Sequence, residues 1–281
     1  MGIQLVVLDI DGTIAGVSNR VRPAVCEAIA AVQDRGVKVA IATGRMYCSA
    51  LKFRSQINSR EPIITYNGAW IGNPETGERL AHWAVPPERI AELLDLAAEP
   101  EWRSLLDVHV YHDDQLYVGE ITAQTKEYVS RSTIQPQSVG DLRRMLDRPL
   151  TKLLMLCPDA ARLDALKAQT QSRYQPSELY ITQSSPTFLE FTHPEASKGQ
   201  ALRYLAATHY GIPLAQVLAI GDNYNDLDML QTVGIGIAMG DAPPTVQAIA
   251  SWVAPNVEAD GVAVALERFI LARSAQLRRP P

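Results

Sequence analysis

The stretch Leu5-Val6-Val7-Leu8-Asp9-Ile10-Asp11-Gly12-Thr13 decides the fold. Residues 3–8 form an apolar run rich in β-branched side chains, the pattern of a parallel strand buried on both faces. Two aspartates two residues apart leave the end of that strand, and Gly12 permits a sharp turn, so both carboxylates can face one ligand. Outward from this point, Arg22 to Arg35 places Val25, Ile29 and Val32 at helical spacing and stops at Gly36. Val37 to Ala42 is a second apolar run, ending in Thr43-Gly44-Arg45, which completes a βαβ unit. A helix over Tyr47 to Ile57 leads to a third strand, Pro62 to Tyr66, closed by the turn Asn67-Gly68. The pattern resumes late in the chain. Lys198 to Tyr210 reads as a helix, Val217 to Ile220 as a strand ending at Gly221-Asp222, and Ile235 to Met239 as another ending at Gly240-Asp241.

Between these halves the periodicity changes. Pro87 to Ala98 is helical, Val108 to Gly119 reads as a hairpin around Asp113-Asp114, and Leu153 to Leu156 is a short strand. Shorter, more often alternating apolar segments suit an antiparallel sheet with one wet face. The expected class is α/β: a Rossmann-like parallel-sheet core over 1–83 and 190–281, with an inserted α+β cap domain over 84–189. A length of 281 residues fits one core with a sizeable insertion.

Composition excludes several classes. With 47% hydrophobic and 20% charged residues the chain is an ordinary globular one, and no stretch approaches the roughly 20 apolar residues of a membrane span. A net charge of −5 without a long basic run leaves no footprint for nucleic acid, so the expected partner is a small molecule. Oligomeric state is not encoded in any pattern here. The one basic cluster, Arg273, Arg278 and Arg279 before Pro280-Pro281, reads as a frayed tail. Cys26, Cys48 and Cys157 show neither CxxC spacing nor a nearby histidine cluster, which argues against disulfides and zinc and for mostly buried reduced thiols. Met1 runs directly into the apolar segment with no basic leader, so the expected location is cytoplasmic.

Ligands of open parallel sheets bind beyond the carboxyl ends of the strands, and here those ends carry Asp9, Asp11, Thr43, Asn67, Asp222 and Asp241. Converging carboxylates repel unless a cation neutralises them, and a dense set of hard oxygen donors suits Mg²⁺ better than zinc. Gly221-Asp222-Asn223-Tyr224-Asn225-Asp226 supplies further carboxylates and an amide to the same edge from a second strand.

Four short motifs in order, Asp9 to Thr13, Thr43-Gly44-Arg45, Ser197-Lys198-Gly199 and Gly221 to Asp226, resemble those of the haloacid-dehalogenase superfamily. The long insertion after the third strand resembles the subclass with a large α/β cap, which includes the Cof-type phosphatases. Tyr66-Asn67-Gly68-Ala69, Asp226 to Leu230, Ala238-Met239-Gly240 and Asp260-Gly261-Val262 extend the likeness. Asp241 and Gln247 depart from it, standing where such proteins commonly carry asparagine and lysine. The resemblance implies that Asp9 attacks phosphorus and forms an aspartyl-phosphate, while Asp11 protonates the leaving alkoxide and then activates water. It further implies that Thr43, Gly44, Asn67 and Asn225 bind the phosphate or substrate, and that Lys198 offsets the charge on the phosphoryl oxygens. Mg²⁺ is implied at Asp9, the backbone carbonyl of Asp11, and Asp222, with Asp226 binding a metal water or orienting Lys198.

The implied activity is Mg²⁺-dependent hydrolysis of a small phosphorylated metabolite such as a sugar phosphate, nucleotide or cofactor phosphate. A phosphomutase of the phosphomannomutase type shares the chemistry, and a non-catalytic phospho-ligand sensor shares the fold. His109 and His112, three apart on a strand, point to opposite faces and are expected on the cap surface rather than at a metal. Arg45 is open between contacting substrate and forming an ion pair at the sheet edge. The four tryptophans, Trp70, Trp83, Trp102 and Trp252, are expected to serve packing.

Overall fold

The computed structural model describes residues 2–130 and 134–272. The basic tail from Arg273 onward lies outside them. The chain divides into two units, residues 1–80 with 197–281 and residues 81–196.

In the first unit, β1 (Leu5–Leu8) lies at the centre of an eight-stranded sheet. It pairs in parallel with β2 (Lys38–Ala42) and β12 (Val217–Gly221), with Leu5 opposite Lys38 and Val217, and Leu8 opposite Ile41 and Ile220. β3 (Ile63–Thr65), β4 (Trp70–Gly72) and β5 (Arg79–His82) extend one side, and β13 (Ile235–Ala238) and β14 (Trp252–Val253) the other, in the order β14-β13-β12-β1-β2-β3-β4-β5. Both faces of β1 are dry because its side chains are apolar without alternation. Val6 and Leu8 share a cluster with Val25 and Ile29 of α1 (Pro23–Gln33) and Leu266 of α9 (Gly261–Leu266), while Leu5 and Val7, pointing the other way, are equally buried. Each such side chain contributes about 1.5–3 kcal/mol by leaving water. The in-register parallel pairing matters for function because it ends β12, β1, β2 and β3 along one edge of the sheet. α2 (Tyr47–Gln56) begins just beyond β2, and α6 (Lys198–Arg203) and α7 (Leu227–Thr232) begin beside the same edge. The helix expected from Lys198 to Tyr210 keeps α-helical pairing only to Arg203 and continues as a wider π-type turn over Tyr204–His209.

The second unit holds a six-stranded sheet in the order β10-β11-β9-β6-β7-β8. Its strands are β6 (Asp107–His112), β7 (Gln115–Val118), β8 (Gln137–Ser138), β9 (Lys152–Leu156), β10 (Tyr180–Ser185) and β11 (Phe188–Thr192). Pairings are antiparallel except between β7 and β8. Asp113 and Asp114 both take left-handed backbone angles (φ 50° and 58°), the requirement of a two-residue hairpin loop whose twist matches its strands. The boundary expected at residue 189/190 cuts through β11, which pairs with β9 and β10 as far as Thr192; the second unit therefore runs to Ala196.

α3 (Pro87–Ala98) and α5 (Ala160–Arg173) share one apolar cluster with Val110, Leu153, Met155, Leu189 and Phe191 of the sheet. The opposite face is also buried, not wet, and mixes apolar side chains such as Leu116, Leu154 and Leu156 with polar ones. It carries a Lys152–Glu190 ion pair at 3.4 Å and His109, whose Nε2 lies 2.9 Å from Thr125 Oγ1. His109 is thus a correction to the surface role expected for it. Burial, with the Lys152 charge adding to it, lowers its proton affinity to about 3, so it is a neutral hydrogen-bonding group. Of the cysteines only Cys157 is fully buried, with Cys26 half-buried and Cys48 exposed, contrary to the expectation of mostly buried thiols. Among the described residues no helix is long and apolar enough to cross a membrane.

Candidate active site

The ladder of β1 extends one residue past the strand, where the Asp9 amide donates to the Ile220 carbonyl at 3.0 Å. The sheet itself therefore fixes the backbone of Asp9. The chain then folds back tightly, with the amides of Ile14 and Ala15 donating to Ile10 O and that of Gly12 to Ala15 O. Gly12 has φ 77°, and a Cβ there would lie 2.3 Å from Asp222 Oδ2. Only glycine lets the first and fourth motifs approach so closely. Thr13 Oγ1 donates to Asp222 Oδ1 at 3.2 Å across the gap.

Lys198 is the centre of the site. Its side chain is fully buried, and Nζ donates to Asp9 Oδ1 at 2.7 Å and Asp226 Oδ1 at 2.6 Å. It occupies the first position of α6, where Ser197 Oγ caps the Gln200 amide and Asp228 Oδ2 accepts from the Gly199 amide at 3.0 Å. Asp226 uses its other oxygen to accept from the amides of Asp222 (2.9 Å) and Asn223 (3.0 Å). Asp226 thus braces both the lysine and the loop after β12.

Carboxylate oxygens of Asp9, Asp222 and Asp226 lie within 4.8 Å of one another. Three carboxylates face one ammonium, leaving an excess of negative charge. Burial raises the Asp9 carboxyl well above its ordinary value; Lys198 opposes this, while Asp226, Asp222 and Asp11 reinforce it. Burial, reinforced by Asp226 and opposed by Lys198, pushes Asp222 up to about 7. For Lys198 burial acts to lower the value, but the two carboxylates outweigh it and hold the ammonium protonated. An all-oxygen donor set with surplus negative charge fits a hard divalent cation.

The other candidates form a hydrogen-bonded chain along the same edge. The Thr43 amide extends the sheet to Ile64 O, and the Asn67 amide donates to Thr43 O at 3.0 Å. Asn67 is buried with φ 55°, a conformation asparagine tolerates, and its Oδ1 accepts from Asn225 Nδ2 at 2.9 Å. A Cβ on Gly44 would sit 2.8 Å from that same Oδ1. Asp11 is placed differently. Its carboxylate is exposed, stands outside the acidic cluster and is paired with Arg45, which donates from Nε at 2.8 Å and Nη2 at 2.5 Å. The ion-pair reading of Arg45 is the one the structure bears out. Asp241 is exposed and outside the acidic cluster, and Gln247 ties its loop by donating to Gly240 O and Ala242 O, both at 2.9 Å. Sequence reasoning passed over Thr13 and Asp228; the signal for Asp228 is an acidic residue in the first turn of the helix that directly follows the Gly221 to Asp226 motif.

This chain belongs to the haloacid dehalogenase-like hydrolase family, whose profile matches residues 6–266. It is a phosphatase of that family, as the names of its relatives indicate. It is 28% identical over 279 residues to YxeH of Bacillus subtilis, covering 96% of this chain and 99% of that protein. It is 26% identical over 272 residues to the 5-amino-6-(5-phospho-D-ribitylamino)uracil phosphatase YitU of the same organism, covering 94% and 97%. Among solved structures, a haloacid dehalogenase-like hydrolase from Bacteroides thetaiotaomicron superposes with a TM-score of 0.83 at 26% identity, over 95% of this chain and 99% of that one.

Proposed function

We propose that the protein hydrolyses a small phosphorylated metabolite with Mg²⁺, through an aspartyl-phosphate on Asp9. The observation that carries this reading is the buried Lys198 bridging Asp9 and Asp226 beside Asp222. A buried lysine fixed on the nucleophile is placed to meet charge arriving with a phosphate group. Asp9 forms a bond to phosphorus as the bond to the leaving oxygen breaks, and Asp11 gives that oxygen a proton. Water then attacks phosphorus, Asp11 takes its proton, and Asp9 departs as a carboxylate.

Thr43, the Gly44 amide, Asn67 and Asn225 bind and orient phosphoryl oxygens, while Asp226 keeps Lys198 aimed. Asp9, Asp222, the Asp11 carbonyl and, directly or through water, Asp226 would hold Mg²⁺, which supplies charge neutralisation for the transferring phosphoryl group. YitU, named for a substrate bearing phosphate on a ribityl chain, supports a small metabolite as the substrate class. The cytoplasm, where such metabolites are kept, is the proposed setting. The test is phosphate release from a panel of phosphorylated metabolites, with and without MgCl₂, beside Asp9→Asn. Release that requires Mg²⁺ and vanishes in the variant is expected; turnover surviving in Asp9→Asn rules out the aspartyl-phosphate.

A further inference from the structure

We propose that Arg45 is the positioning residue for Asp11, holding the carboxylate that exchanges protons in the reaction; this rests on the acid/base role given to Asp11 above. Asp11 follows a turn, lies outside the acidic cluster and is largely exposed, with 61% of its side chain accessible. Nothing in the β1 ladder fixes it as the ladder fixes Asp9. An exposed carboxylate on a loop samples several rotamers, whereas a proton donor must stay within hydrogen-bond reach of one oxygen. The Arg45 fork removes that freedom by engaging both oxygens at once, Nε to Oδ2 at 2.8 Å and Nη2 to Oδ1 at 2.5 Å.

The fork is itself braced on every side. Nη2 also donates to Asn19 Oδ1 at 2.9 Å, the guanidinium carbon stands 4.5 Å above the Phe53 ring of α2, and the Arg45 carbonyl accepts from the Tyr66 amide at 3.0 Å. Asn19 is held in turn by Lys52 Nζ, which donates to its carbonyl at 3.0 Å. Arg45 therefore connects the acid/base residue to the loop between β1 and α1, to α2 and to the turn after β3. Its Nε and Nη2 are committed to Asp11 and Asn19, which separates it from Lys198 and Thr43 as a group for binding phosphate. A lysine in its place keeps the charge but has no planar fork.

The experiment compares kcat/KM for an alkyl phosphate with that for p-nitrophenyl phosphate in wild type, Arg45→Lys and Asp11→Asn. An alkoxide needs a proton to leave and p-nitrophenolate does not, and kcat/KM reports only steps through its departure. A carboxylate displaced by an ångström costs about 100-fold, so Arg45→Lys is expected to lose about that on the alkyl ester and less than about threefold on the nitrophenyl ester. Asn19→Gly, which keeps the left-handed backbone while removing the brace, is expected to show the same split at smaller size and carries the test if Arg45→Lys does not fold. Equal losses on both esters, or no loss on either, overturn the proposal. If Asp11→Asn shows no split, the acid/base reading itself fails; if Asp11→Asn splits the two esters and Arg45→Lys does not, only the positioning role fails.

Discussion

Replacing Asp226 by asparagine removes one charge from a fully buried ion pair. The Asp226 side chain is wholly inaccessible and accepts three hydrogen bonds, from Lys198 Nζ and from the amides of Asp222 and Asn223. An asparagine has one accepting oxygen, so its NH₂ group must face either the lysine ammonium or two backbone donors. Breaking one partner of a buried ion pair costs about 3–5 kcal/mol. Lys198 retains Asp9 at 2.7 Å, which places Asp226→Asn near the lower end, about 3 kcal/mol. Two units need not unfold together, so a global melt is the wrong assay. Hydrogen exchange of the β1 and β12 amides in EDTA reads the opening of this unit directly, and about 3 kcal/mol corresponds to about 100-fold faster exchange. In a cycle with Lys198→Met the two losses should couple by about 0.5–3 kcal/mol. Exchange accelerated less than about fivefold, or losses that simply add, would refute the view that Asp226 is the lysine's obligatory buried partner.

Two further outcomes follow from the same geometry. Burial, reinforced by Asp226, pushes Asp222 up to about 7. The folded state therefore binds more protons than the unfolded one between about 3.8 and 7, and this contribution to stability, complete below about 3.8, is lost as pH rises through about 7. A divalent cation binds the deprotonated carboxylates, so the protection that MgCl₂ adds to the β1 and β12 amides against hydrogen exchange should be larger at pH 8 than at pH 5.5; equal added protection at both would contradict the assignment of Asp222 to the metal. Gly12→Ala forces a Cβ to within 2.3 Å of Asp222 Oδ2 at φ 77°, with a strain of about 1–3 kcal/mol and a loss of about 100-fold or more in kcat/KM. Undiminished turnover in that variant would show that Asp222 need not stand where it does.

The strand ends were legible because uninterrupted apolar runs terminate in polar turns, and parallel pairing then leaves little freedom: Leu8, Ile41 and Ile220 are forced into register, and Asp9, Thr43 and Asp222 follow them to one edge. What lies beside that edge by tertiary packing was not legible from spacing. Lys198 is 189 residues from Asp9, and only the motif resemblance pointed to it. His109 failed for another reason. Its position on β6 gave its face correctly as opposite to His112, but whether that face is wet depends on packing that alternation does not encode. The boundary in β11 was misplaced because Phe188 to Thr192 reads equally well as a strand of either sheet until its partner, β9, is known.

The two aspartates of the first motif show how far apart neighbouring residues can be in chemistry. Spacing by two suggests a shared face, yet the ladder ends at Asp9 and the chain has turned before Asp11, so the first is 4% exposed against a buried lysine and the second is exposed against an arginine. A nucleophile must be held rigidly and kept from water, while a group that passes protons between leaving oxygen and incoming water must reach both. Under the proposed mechanism, burial on the sheet would supply the first requirement, and a loop residue steadied by a bidentate fork the second. The turn that begins at Ile10, whose carbonyl accepts from the Ile14 and Ala15 amides, is therefore what gives two identical side chains different surroundings.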